Sequence, residues 1–61
     1  MNATQVTETL MEVLNEDTAQ EILPTTSMRT FADAGLLTRD DGFVIRLPDG
    51  AEFQVTVTQR R

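Results

Sequence analysis

Sixty-one residues make one small domain, spanning 1–61, and a domain of that size buries only about 60% of its unfolded surface. The chain has no cysteine and no histidine, so disulfides, thiolate chemistry and the commonest zinc ligand are excluded. Its net charge of −5 disfavours non-specific binding to nucleic acid or to anionic membranes.

The charge is unevenly placed. Residues 1–27 carry Glu8, Glu12, Glu16, Asp17 and Glu21 with no basic residue, whereas residues 28–61 balance their acids against all five arginines. Lysine is absent, a pattern expected of a GC-rich genome. The chain begins with Met1 and has neither a signal-peptide pattern nor the roughly 18 apolar residues of a membrane span. The expected reading is a complete short gene product working in the cytoplasm.

Val6, Leu10, Val13 and Leu14 recur at helical spacing and predict a helix over about 3–15. Asn2 and Gln5 have the spacing of a capping box at its start. Asp17 would interrupt the apolar stripe, so it is expected to cap a second helix over 18–23, with Gln20 completing the box. One bent helix from 3 to 23 is the alternative. Pro24 ends the segment, because the residue before a proline is pushed from helical angles.

Thr25, Thr26 and Ser27 read as a polar connector. A short helical turn is expected over 28–34, capped by Ser27 or Thr30 and closed by Gly35 in the left-handed conformation. Residues 36–38 read as a short strand, and Arg39-Asp40-Asp41-Gly42 as the turn into a second strand at 43–47.

The strongest signal is Pro48-Asp49-Gly50 between two apolar-alternating runs. It fits a three-residue hairpin loop with Gly50 at the bulge. That loop pairs Leu47 with Ala51, Arg46 with Glu52, Ile45 with Phe53, Val44 with Gln54 and Phe43 with Val55. A two-residue loop on Asp49-Gly50 would scramble the apolar face. The expected apolar face holds Phe43, Ile45, Leu47, Phe53, Val55 and Val57; the wet face holds Val44, Arg46, Glu52, Gln54, Thr56 and Thr58. The third strand, 52–58, falls at an edge.

The expected fold class is therefore α+β, helices first and then a three-stranded antiparallel meander. The expected core is Leu10, Val13, Leu14, Ile22, Phe31, Leu36, Phe43, Ile45, Phe53, Val55 and Val57. Truncating Phe31 or Phe53 to alanine should cost about 3–5 kcal/mol. With neither disulfide nor metal to add stability, self-association is the expected source of further burial.

No catalytic, cofactor or metal site is expected. Asp40-Asp41-Gly42 lacks the alternating ligands and the distal glutamate of a calcium loop. The hydroxyls of Ser27 and the threonines have no histidine, lysine or cysteine to activate them, and the isolated glycines form no phosphate loop. Arg60-Arg61 reads as a solvated tail. Two features remain as partner-binding candidates. One is the acidic stripe Glu8, Glu12 and Glu16, whose like charges four residues apart repel by a few tenths of a kcal/mol. The other is the edge strand with Gln54, Thr56 and Thr58, which lacks most of the features that normally block strand addition.

The segment Gly35-Leu-Leu-Thr-Arg-Asp-Asp-Gly-Phe-Val-Ile-Arg-Leu-Pro-Asp-Gly-Ala-Glu-Phe-Gln-Val-Thr-Val57 resembles one found in short, uncharacterised proteins of phages and prophages from GC-rich bacteria. The resemblance covers about the last third of the chain and brings no site residues with it. It implies an accessory protein of the host cytoplasm that acts by contact with another macromolecule. The expected function is thus a small non-enzymatic protein-interaction module, phage-encoded and regulatory. It would bind a protein partner or form a homodimer through the last strand. The alternative is a winged-helix-like nucleic-acid binder with 27–34 as recognition segment and 47–51 as wing, against which the shortage of basic residues speaks. Mimicry of DNA by the acidic helix is a third reading.

Overall fold

A computed structural model describes residues 1–36 and 39–60. In chain order these form α1 (Ala3–Leu14), α2 (Asp17–Ile22), β1 (Ser27–Thr30), β2 (Asp41–Arg46) and β3 (Glu52–Val57). The strands make one antiparallel sheet in the order β1-β2-β3. The α+β class and the meander order follow the sequence reading.

The capping box at α1 forms as its residues predict. The Asn2 side chain accepts from the Gln5 N–H and the Gln5 side chain accepts from the Asn2 N–H, each at 2.9 Å. The chain breaks after Leu14, so two helices form and not one bent helix. The second cap differs from expectation. Asp17 is the first residue of α2, and Glu16 precedes it without a side-chain cap. Gln20 is used elsewhere: its amide donates to the Leu14 carbonyl at 2.7 Å and its carbonyl accepts the Thr25 N–H at 3.0 Å. It ties both ends of α2 to the chain around it.

The main correction concerns residues 27–34. Ser27–Thr30 is a strand, not the start of a helical turn, and pairs Met28 with Ile45 and Thr30 with Phe43. The helical element shrinks to one turn after it. Thr30 Oγ1 accepts from the Asp33 N–H at 3.2 Å, and the turn closes through Leu36 N–H to Phe31 O at 2.9 Å and Gly35 N–H to Ala32 O at 3.1 Å. Gly35 has φ +76, the left-handed position such a closure needs. The cap and the closing glycine were legible, but Met28 and Thr30 bury better as strand neighbours of β2 than as a helical face. Of the strand expected at 36–38, Leu36 lies in no strand and residues 37 and 38 lie outside the described residues.

The hairpin has the register set by its loop: Arg46 with Glu52, Ile45 with Phe53, Val44 with Gln54 and Phe43 with Val55. Leu47 N–H donates to Ala51 O at 2.8 Å, Gly50 N–H to Leu47 O at 3.0 Å, and Ala51 N–H to the Asp49 carboxylate at 2.9 Å. Gly50 takes φ +91.

Helix α1 lies on the sheet along β2. Thr4 Oγ1 donates to Asp41 Oδ1 at 3.2 Å at one end. At the other, Met11 and Asn15 line a hollow with Ser27 and Met28, level with Arg46 through the β1–β2 pairing. The buried apolar residues are Phe31, Phe43, Val44 and Ile45, with Phe43 only 1% exposed. Thr7 is buried too, its hydroxyl donating to the Ala3 carbonyl at 2.8 Å.

This core is smaller than the sequence pattern suggests. Leu10, Val13, Ile22 and Phe53 are exposed, Ile22 at 82% and Phe53 at 52%, and Leu14, Leu36, Val55 and Val57 are half-buried. The helix presents Ala3, Thr7, Met11 and Leu14 to the sheet, because small side chains at 3 and 7 let its first turns approach Phe43 closely. Val44, expected on the wet face, is buried, since Ala34 of the single turn lines the same hollow above it.

Candidate interaction edge

Strand β3 has β2 on one side and, among the described residues, no strand on the other. The hydrogen-bond parity of β2 fixes which of its groups are spare. The carbonyls of Gly42 and Arg46 accept from β1-side N–H groups, those of Phe31 at 3.1 Å and Thr26 at 2.8 Å, while Leu47 bonds across to Ala51. Even residues of β2 thus face β1 and odd ones face β3. In an antiparallel ladder the same alternation makes Phe53, Val55 and Val57 face β2. The N–H and C=O groups of Glu52, Gln54 and Thr56 therefore point away from the sheet. The side chains of Gln54, Thr56 and Thr58 are exposed.

Above this edge the cover is incomplete. Phe53 pairs with Ile45, which is buried at 5% exposure, yet Phe53 itself is half in water. The difference is the position of α1. Thr4, Thr7 and Glu8 line a hollow of about 360 Å³ with Thr30, Phe31 and Gly42 on the β1 side. Helical geometry then turns Val6, Leu10 and Val13 the opposite way, toward β3. Leu10 and Val13 are both exposed, so they and Phe53 form an apolar margin beside the open strand edge.

The acidic candidates lie elsewhere. Glu8, Glu12 and Glu16 are all exposed, but Glu8 lines the hollow beside Phe31, and Glu12 lines the one formed with Thr25–Met28. They border the β1 side and are not brought together with Gln54, Thr56 and Thr58. The hydrophobic half of the edge, Phe53 with Leu10 and Val13, went unrecognised in the sequence because those residues fit a core pattern equally well.

At the edge Arg46 and Glu52 make a charged contact, at 3.3 Å on the face away from α1. In the hollow on the β1 side, the Thr7 hydroxyl is committed to Ala3 and that of Thr4 to Asp41. Among the described residues no three carboxylates gather where they could hold a metal ion, and no helix is long and apolar enough to cross a membrane. Comparison with protein-family models, curated proteins and solved structures gave no match.

Proposed function

We propose that the protein is a small non-enzymatic protein-interaction module whose working surface is the β3 edge with its apolar margin. The observation that carries this reading is Phe53, 52% exposed where only four of the described apolar residues are buried, beside a row of unused backbone groups. Strand addition uses both features: main-chain hydrogen bonds supply affinity and a pocket for alternate side chains supplies specificity. The resemblance of 35–57 to phage and prophage segments implies an accessory protein that acts by contact with another macromolecule, in keeping with this reading. The winged-helix alternative loses its third helix, because 27–30 is a strand and the turn after it is a single turn.

The test compares the immobilised protein with its Gln54→Pro variant in a bacterial lysate. Proline removes an N–H that the isolated domain does not use, and it is tolerated at such an edge position. Proteins retained by the parent and lost by the variant, or self-association of the parent that the variant loses, are expected; identical retention by both with no self-association overturns the reading.

A further inference from the structure

We infer that the natural occupant of the β3 edge is a second copy of this chain, paired antiparallel about a two-fold axis perpendicular to the sheet. This rests on the reading of β3 as an interaction edge and names its partner. The two three-stranded sheets become one of six strands, with both α1 helices on the same face.

The edge is self-complementary. Its outward groups belong to Glu52, Gln54 and Thr56, so a symmetric pairing centred on Gln54 sets Gln54 against its copy and Glu52 against the second Thr56. All six main-chain hydrogen bonds then come from residues inside β3. Centring on Glu52 would instead oppose two carboxylates, which destabilises a cross-strand pair. With Gln54 at the axis, Phe53 packs across the join against the second Val55, in the closely spaced type of antiparallel pair.

Charge placement favours the same occupant. Two copies at −5 each repel, but Glu8 and Glu12 border the opposite, β1 side. The helix flank facing the join carries Val6, Leu10 and Val13. The carboxylate nearest the join, Glu52, already has Arg46 at 3.3 Å.

The spacing also fits. Three interstrand steps put the two β2 strands, and with them the two helices, about 14 Å apart. That is wider than the 8–10 Å of bare helix contact, and the gap is filled by Phe53, Leu10 and Val13 from both copies. The edge and its margin amount to on the order of a tenth of the 4795 Å² surface of one copy. Both together give roughly 1,000 Å², the lower bound for a specific interface. An interface at that bound is of the weak, concentration-dependent kind.

Sedimentation equilibrium from about 1 μM to about 1 mM tests this. The average mass should climb from that of one chain toward twice that value, and Gln54→Pro should weaken association at least tenfold. Amide exchange on the unaltered chain gives an independent reading that needs no folded variant. The Gln54 and Thr56 amides should gain protection as concentration rises, whereas those of Val55 and Phe53 are protected throughout. A single-chain mass over the whole range overturns the dimer. So does a dimer in which Gln54 and Thr56 exchange freely, because it must use another surface. If the chain stays monomeric but loses lysate partners on Gln54→Pro, the occupant is a different protein and the interaction reading stands. Monomer with no such loss overturns both.

Discussion

Strand β2 has a neighbour on each side, and the two sides are finished differently. Toward β1, the single turn after Thr30 folds back: Phe31 lies over Gly42, Ala34 lies beside Val44, and Thr7 of α1 lines the same hollow as Phe31 and Gly42. Toward β3, the apolar alternation is just as regular, yet Phe53 is half exposed and the half-buried Val55 and Val57 have only the uncharged flank of α1 above them. Alternation records which face of a strand is apolar. It does not record whether this chain or another one covers that face.

The largest effect is expected from truncating the ring at the centre of the sheet, set against the ring at its open edge. Phe43→Ala removes the most deeply buried ring and should cost about 3–5 kcal/mol. A domain of this length holds roughly 3–9 kcal/mol in total, so urea unfolding should find the variant largely unfolded at 25 °C. Equal tolerance of Phe43→Ala and Phe53→Ala would mean that the centre and the open edge do not differ.

Gly42 tests the closed side in the opposite direction, by adding volume. A methyl group there would stand 2.6 Å from two carbons of the Phe31 ring and against the Val55 carbonyl oxygen. The carbonyl belongs to a paired strand and cannot move aside. Gly42→Ala should therefore cost about 1–3 kcal/mol by overpacking, read as a drop in the urea midpoint at unchanged slope. Phe53→Ala comes next. In dilute solution it should cost about 1–2 kcal/mol, because only about half of the ring leaves water on folding. The loss should grow with protein concentration if Phe53 is buried by a second copy.

Local chemistry was legible wherever one or two residues decide the conformation. Pro48-Asp49-Gly50 dictates the loop and, through it, the whole β2–β3 register; Asn2 with Gln5 dictates the start of α1; Thr30 with Gly35 dictates the single turn. What escaped depends on tertiary packing. Thr7 is polar and looks like a surface residue, but its hydroxyl bonds within its own helix at 2.8 Å, which lets the methyl side enter the core. Ser27–Thr30 carries little strand signal of its own and becomes a strand because β2 offers it a ladder. The partner candidates divide the same way: exposure of Gln54, Thr56 and Thr58 follows from alternation, whereas the apolar margin beside them depends on how α1 is rotated.

A smaller effect belongs to the helix that lies along β2. Asn2→Ala deletes the acceptor for the Gln5 N–H and should cost about 1 kcal/mol. Thr4, two residues on, holds Asp41 at the start of β2. Exchange of amides in the first turn of α1 should accelerate most, and Phe31 and Phe43 should stay protected. Loss confined to the helix end would show that the closed side does not depend on the cap.

The smallest effect probes the Arg46–Glu52 contact across the β2–β3 join. Arg46 and Glu52 sit opposite each other at 3.3 Å, with side chains 60% and 50% exposed. Exposed pairs of this kind couple by about 0.2–1 kcal/mol, and a cross-strand position does not change that range. A double-mutant cycle with Arg46→Gln and Glu52→Gln should return a few tenths of a kcal/mol, reduced further in 1 M salt because the charges stand in water. The pair lies on the face away from α1, so pairing of two β3 edges leaves it wet and should leave its coupling unchanged with concentration. A coupling that rises as the protein self-associates would place the second copy on that face, and the join would then have to be rebuilt around Val44 and Arg46 instead of Phe53.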